Sequence, residues 1–429
     1  MNAAQYISQM GLDFSFERFQ REVSAFCNEM TLGLRTGSSL KMIPSYLQLL
    51  KHFPTNRTVI AIDMGGTNMR ISKVHFGSDG TVRILGKEKF PMPGTKGALT
   101  REAFFETVAE LLRPYFDRSY PVGLCFSFPC EILPNLDGRI INFNKEVCVS
   151  GAEGAVLGEC LNEALRKANI PTMESITVIN DTVAALLGGK AAYPSKQYSS
   201  YIGFILGTGT NSCYVERNCE IQKNPHLKDL PGSSLVNLES GGYAQVQRTS
   251  WDILFDSTTD APNTQLLEKM ISGAYIGGLF HKLLLSAMEA GCFSDRFREG
   301  MRGIDSLESY EVSELFDSEG GNNRLLNLAS DPVDREALVA LADAFFNRSA
   351  LMVSVNLTAI MLKSCVESTP EAPFCISAEG STFYQCKPLH ERILKYMENY
   401  AHQKMNLHFE FVQAEESTII GSALAAARQ

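Results

Sequence analysis

One stretch constrains the whole chain: Ile60-Ala-Ile-Asp-Met-Gly-Gly-Thr-Asn-Met-Arg-Ile-Ser-Lys-Val-His-Phe76. Val59 to Ile62 is an apolar run of strand length, and Ile71 to Phe76 reads as a second strand. Asp63, Gly65, Gly66, Thr67, Asn68 and Arg70 lie in and beside the turn. Strand, Gly-rich turn and strand make a hairpin in which glycine permits backbone shapes closed to other residues. Such a turn bares N–H groups to an anion. Thr67, Asn68 and Arg70 suit phosphate oxygens, and Asp63 suits a metal, directly or through water. The plainer alternative is an ordinary hairpin turn.

The pattern returns at Tyr201-Ile-Gly-Phe-Ile-Leu-Gly-Thr-Gly-Thr-Asn-Ser-Cys-Tyr-Val215, with Gly207 about 140 residues beyond Gly65. That spacing is far outside the period of a solenoid, so it predicts two copies of one domain architecture. Facing each other, two such hairpins would close on a nucleotide from both sides. A length of 429 residues allows two domains with a core each. No low-complexity linker separates them.

Around these hairpins the periodicity predicts further elements. Apolar residues at spacings of three and four from Phe16 to Leu34 give an amphipathic helix, and Ser39 to Tyr46 reads as an irregular connector. Thr100 caps a helix over 101–112, and Gly151 to Asn169 reads as helical. Thr177 to Ile179 is a strand that runs into Asn180-Asp181 before a helix from about Thr182. The second half is mostly helical, over 265–273, 274–290 and 335–364, and then over 388–402 and 421–428. Strands over 373–377 and 409–412 complete it, the first feeding a Gly turn at 378–382.

A net charge of -9 without a Lys/Arg block argues against nucleic acid or an anionic membrane as the main partner. Eleven scattered cysteines without a C-x-x-C pair point to free thiols in a reducing compartment. The first residues show no charged segment followed by an apolar one, and Ala350 to Leu362 reads as too short and too polar to span a bilayer. The expected location is the cytoplasm.

Asn180-Asp181 sits where a buried strand meets a helix N-terminus, which favours the charged carboxylate and suits a general base. The plainer alternative is that Asp181 only caps the helix. Ser127, Asn144, Lys145, Asn211, Glu239 and Glu268 each stand at a strand end or in a loop. Together they offer the hydroxyl, amide, ammonium and carboxylate groups that hydrogen-bond a polyol on several sides.

Linked motifs in order now make the chain resemble a eukaryotic-type hexokinase over nearly its whole length. They are Ser39-Leu-Lys-Met-Ile-Pro44, Asp63-Met-Gly-Gly-Thr-Asn-Met-Arg70, Leu124-Cys-Phe-Ser-Phe-Pro-Cys130 with Asn142-Phe-Asn-Lys145, and Val178-Ile-Asn-Asp-Thr-Val183. Leu206-Gly-Thr-Gly-Thr-Asn-Ser-Cys-Tyr214, Asn237-Leu-Glu-Ser-Gly-Gly242 and Glu268-Lys-Met-Ile-Ser-Gly-Ala-Tyr275 follow. The resemblance implies an α/β, two-lobed actin-like fold (ribonuclease H-like, duplicated) with an interdomain cleft. Its small lobe would span 56–180 completed by 413–429, and its large lobe 181–412 completed by 1–55.

It further implies ATP and Mg2+, transfer of the γ-phosphoryl group to the 6-hydroxyl of glucose or a related hexose, and a monomer or homodimer. Asp181, Lys145 and Arg70 would be catalytic. Sugar contacts would fall to Ser127, Asn144, Lys145, Asn180, Asp181, Asn211, Glu239 and Glu268. Phosphate contacts would fall to Asp63, Gly65, Gly66, Thr67, Asn68, Arg70 and Thr208, with Asp63 holding the metal through water. Gly380, Ser381 and Gly421 would face adenosine. Glu379 stands where the family usually has Asp, Gly278 where it often has Glu, and Ser417-Thr-Ile-Ile-Gly421 replaces a more Gly-rich turn. An actin-like ATPase that binds protein, or a sugar sensor without turnover, would share parts of this pattern.

Overall fold

Twice along the chain, runs of aliphatic and β-branched residues build the same five-strand layout. The computed structural model describes residues 1–12, 14–50, 52–143, 147–316 and 323–428. The first sheet comprises β1 (Arg57–Met64), β2 (Asn68–Phe76), β3 (Val82–Pro91), β4 (Pro121–Phe126) and β5 (Ser175–Ile179). The second comprises β6 (Ser200–Leu206), β7 (Thr210–Arg217), β8 (Ser233–Asn237), β9 (Phe374–Glu379) and β10 (Phe409–Val412). Their spatial orders are β3-β2-β1-β4-β5 and β8-β7-β6-β9-β10. In both, the first three strands are antiparallel and the last two join in parallel. The duplication expected from the two Gly-rich hairpins is therefore real at the level of topology. The connector is less irregular than expected, since Ile43–Pro44 pairs antiparallel with β8.

The helices that matter for the site are α1 (Phe16–Arg35), α2 (Arg101–Leu112), α3 (Leu157–Lys167), α4 (Asp181–Ala192), α5 (Ser250–Ser257), α6 (Leu266–Ile271), α7 (Pro332–Lys363) and α8 (Ser417–Ala426). Thr100 caps α2 as predicted, its hydroxyl accepting the Ala103 N–H at 3.2 Å. α3 starts later than the periodicity suggests, because Gly151 and Gly154 hold left-handed turns at φ 72° and 78°. α7 is capped by Asp331 with Pro332 at its first position. It is long and apolar enough to cross a bilayer, which corrects the shorter span read from Ala350 to Leu362, and 78% of its apolar window is buried within the fold.

Each lobe has its own core. One gathers Phe104, Val108, Leu124 and Leu161 around the first sheet. The other gathers α1, α7 and the inner strands of the second sheet, with Phe26 against Tyr243 at 4.4 Å between ring centroids. A third cluster lies between them, where Val183, Leu186 and Leu187 of α4 meet Ile419, Ala423 and Leu424 of α8. The chain crosses the lobes here: β5 of the first sheet feeds α4, and β10 of the second feeds α8.

The crossing is very close. A Cβ at Gly421 would lie 1.9 Å from the Ala184 carbonyl oxygen, and one at Gly188 2.6 Å from Ser417 Cα. The sheets press on the same helices. Gly123 of β4 faces the Ser422 carbonyl and Gly203 of β6 faces the Thr182 carbonyl, at 1.9 and 2.1 Å for a hypothetical Cβ. No side chain fits where backbone meets backbone. Gly421→Ala is therefore expected to lower unfolding free energy by about 3 kcal/mol. Gly86→Ala, with only Tyr115 at 3.9 Å, should change it by less than about 0.5 kcal/mol. Urea denaturation of both variants measures the difference.

Candidate active site

β1 and β2 run in a register that pairs Asp63 with Arg70 across the ladder. Their side chains meet, and Arg70 Nη1 donates to Asp63 Oδ2 at 2.7 Å. Burial pushes the Asp63 carboxyl above its ordinary value, with Arg70 opposing the shift. The hairpin closes through the Gly65 N–H on the Asn68 carbonyl at 3.0 Å. Neither Gly65 nor Gly66 takes a left-handed φ, so the unusual backbone expected of them is not used. Gly65 relieves a tight contact instead, since a Cβ there would lie 3.3 Å from the Asn68 oxygen. Thr67 is exposed, its hydroxyl accepting from Asn68 Nδ2 at 2.9 Å, and the Arg70 side chain is 42% exposed. The open side of this turn thus presents hydroxyl, amide and guanidinium donors.

β5 ends at Ile179, and Asn180 is the N-cap of α4. Asn180 Oδ1 accepts the Thr182 N–H at 3.0 Å and its hydroxyl at 2.6 Å. Asp181 is thus the first helical residue and not the cap, although its Oδ1 also accepts the Thr182 N–H, at 2.8 Å. β4 carries Ser127 to the same end of the sheet, its N–H on the Met64 carbonyl at 3.1 Å.

The second hairpin is built differently. Asn211 Nδ2 and Asn237 Nδ2 donate to Glu239 Oε1 at 3.2 and 2.8 Å, and Asn211 Oδ1 accepts the Ser240 N–H at 3.2 Å. Glu239 itself sits in the left-handed region at φ 57°, a conformation uncommon outside glycine. Glu268 reaches in from α6, its Oε2 accepting the Thr210 N–H at 2.9 Å. A Cβ at Gly209 would lie 2.6 Å from that oxygen, so Gly209 is what lets the carboxylate approach.

Between the lobes lies a cavity of about 610 Å³ that brings Ser127, Asn180, Asp181, Thr208, Asn211, Glu239 and Glu268 together. Phe126, Phe128 and Pro44 supply apolar wall. That is a size and mixture suited to a small polyol. Thr208 and Ala274 also line a second cavity of about 370 Å³ with Ser309, Tyr310, Ser381 and Gln385. Thr382 Oγ1 and the Gly273 N–H both donate to the Gly207 carbonyl, at 2.8 Å each, which ties the turn to the second cavity. Gly380 here does use glycine's freedom, at φ 109° with the Leu206 oxygen 2.3 Å from a hypothetical Cβ.

Asp63, Thr67, Asn68 and Arg70 form the first hairpin and line neither cavity. Gly421 is a packing residue within α8, and Ser417 to Ile420 form that helix's first turn where a loop was expected. Asn144 and Lys145 lie outside the described residues. Several cavity residues escaped the sequence-based assignment, among them Asn237, Gln265 and Ser309. Asn237 was visible beside Glu239, but Gln265, left-handed at φ 50°, and Ser309, on a five-residue helix, carried no motif of their own. At the departures, a side chain at Gly278 would strike the Phe255 ring at 2.7 Å. Glu379 Oε1 is buried with no hydrogen-bond partner among the described residues.

Two family models described as Hexokinase match residues 5–191 and 201–428, dividing the chain between the end of α4 and the start of β6. Hexokinase-3 of Oryza sativa subsp. japonica is 30% identical, covering 81% of this chain and 72% of its own. Hexokinase-1 of Schizosaccharomyces pombe is 24% identical over 96% of this chain and 87% of its own. Among solved structures, the Schistosoma mansoni hexokinase complexed with glucose superposes over all of both chains at a TM-score of 0.73 and 22% identity. Another hexokinase reaches 0.79 at 21% identity, over 99% of each chain. The fold is the two-lobed actin-like α/β fold. The chain belongs to the hexokinase family and is an ATP-dependent hexose phosphotransferase.

Burial raises the Glu379 carboxyl above its ordinary value, with the Ser417 hydroxyl opposing. A raised folded-state value means that its contribution to stability is fully present below the unfolded value and is lost as pH rises through the folded one. Glu379→Gln removes that loss, so its melting temperature relative to the unaltered chain is expected to climb from pH 4 to pH 7. Calorimetric scans across that range check it, and a flat difference would count against a burial-penalised carboxylate.

Proposed function

We propose that this enzyme moves the γ-phosphoryl group of MgATP to the 6-hydroxyl of glucose and related hexoses, with Asp181 as general base. The observation that carries the reading is the position of Asp181. It opens α4 inside the cavity, facing the Asn211, Glu239 and Glu268 side, with Thr208 leading on to the second cavity.

Each group has a part in that reading. Ser127, Asn180, Asn211, Glu239 and Glu268 hold the sugar hydroxyls, and their number allows recognition on several sides. Asp181 orients the 6-hydroxyl and takes its proton, its charged form favoured at a helix N-terminus. The donors at Thr67, Asn68 and Arg70 fit phosphate oxygens, and Thr208 fits the passage between the cavities. Asp63, held behind Arg70 with its side chain 8% exposed, suits a hydrated cation better than direct ligation. Bound magnesium supplies charge neutralisation on the phosphates. Ser381 and Tyr310 suit the adenosine end.

Water competes with the hexose as acceptor, so the site must exclude it. Closure of the lobes about the α4–α8 crossing on sugar binding would do so. A cytoplasmic setting is supported by eleven free thiols. The Schistosoma relative's glucose makes glucose the first sugar to try.

The test is ADP release from MgATP against a panel of hexoses, with calorimetric sugar binding alongside. Asp181→Asn is expected to lower kcat by about 10³-fold, within the range of general-base catalysis, while glucose still binds. Sugar binding without turnover in the unaltered chain would instead make it a sensor, and full activity in the variant would remove Asp181 from the base role.

A further inference from the structure

α6 spans six residues, and its N-terminus has no side-chain cap, so its own hydrogen bonds do not hold it in place. Yet it carries Gln265 and Glu268, one turn apart on the cavity side. Lys269 points the other way and is buried, at 5% exposure. Its Nζ donates to Asp256 Oδ1 at 2.5 Å and to the Ala261 carbonyl at 2.7 Å. Asp256, also 5% exposed, is a hub: its Oδ2 accepts Arg248 Nη1 at 2.9 Å and the Asn263 N–H at 3.0 Å. These bonds fold the loop from α5 to α6 back on itself.

α5 is in turn anchored to the lobe's long core helix. Arg348 of α7 donates to Asp252 at 2.8 Å, both side chains 3% exposed, and lies over the Trp251 ring at 4.1 Å. An unbroken series of buried charge pairs and short helices therefore links α7 to Glu268. Buried ion pairs seldom add stability over an apolar replacement, and fixing one geometry is a role they serve in some proteins.

We propose that the Asp256–Lys269 ion pair is a positioning element for hexose binding, holding α6 so that Glu268 and Gln265 stand at the sugar while the pair itself touches no substrate. The proposal rests on the reading that Glu268 contacts the hexose. The pair therefore sets sugar affinity, not the rate of the phosphoryl step and not nucleotide affinity. A change that frees α6 lets Glu268 leave the Thr210 N–H, and small displacements of positioning groups carry large effects.

The experiment compares the full chain with Asp256→Asn, Lys269→Met and a control, Glu216→Gln. The control breaks the buried Glu216–Lys363 pair, which lies six residues along β7 from Thr210. Glucose and ATP KM, kcat, calorimetric glucose Kd and Tm are measured for each. Both test variants should raise glucose KM and Kd about tenfold or more, with ATP KM unchanged and kcat within about threefold. The control should lose Tm but keep its glucose KM. Lys269→Met leaves Arg248 and the Asn263 N–H on Asp256, so it carries the test if Asp256→Asn does not fold. Unchanged glucose Kd in folded Lys269→Met overturns the proposal, as does an equal rise in glucose KM for the control. An unaltered chain that phosphorylates no hexose would instead sink the functional reading.

Discussion

The rest of the structure depends on backbone meeting backbone where α4 crosses α8. Gly421 against the Ala184 carbonyl and Gly188 against Ser417 bring the helices closer than any side chain allows. The sheets then close on the pair, through Gly203 on the Thr182 carbonyl and Gly123 on the Ser422 carbonyl. A consequence for chemistry follows from connectivity. Asp181 is fed by β5 of the first sheet, but the helix it opens is seated on β6 of the second. The carboxylate stands at the junction, held by both halves of the cavity it faces.

The two hairpins show how one topology serves two tasks. Both are antiparallel turns at the same position in equivalent sheets. The first keeps its one carboxylate, Asp63, buried behind Arg70 and offers donors outward, a surface suited to an anion. The second uses glycine to admit a carboxylate from outside the sheet, Glu268 against Gly209. Glycine thus has a different job in each, and neither job is the left-handed turn that a Gly-Gly pair suggests.

Much of this was legible in the sequence because it rests on local signals. The strand–turn–strand pattern, the Thr100 cap and the periodicity of α1 each act within a few residues, and each was placed closely. The start of α8 was not legible. Ser417-Thr-Ile-Ile reads as standing in place of a turn, with the helix expected only from Gly421, and Glu416 precedes it in a left-handed conformation with no side-chain cap. Packing against Gly188 holds that turn helical, and a local reading does not contain the packing. The same holds for α5, whose eight residues are too short for periodicity to mark, whereas α6 was read within a helix over 265–273 but with no sign of what anchors it. Tertiary charge pairs place them.

The cavity gathers three acidic side chains, Asp181, Glu239 and Glu268, in one small space. Like charges at short range repel strongly away from bulk water. Each is met by oriented dipoles: the Thr182 N–H on Asp181, the Asn211 and Asn237 amides on Glu239, the Thr210 N–H on Glu268. Dipoles fixed in this way stabilise charge without filling the space in front of it. Two buried charge pairs, Lys269 with Asp256 and Arg348 with Asp252, stand one layer behind, where they bind elements together and leave the cavity clear. A polyol with several hydroxyl donors is the complement of such a wall. Among the described residues, dipoles meet these carboxylates at the cavity surface and ion pairs bind the elements beneath it, an arrangement compatible with a neutral substrate.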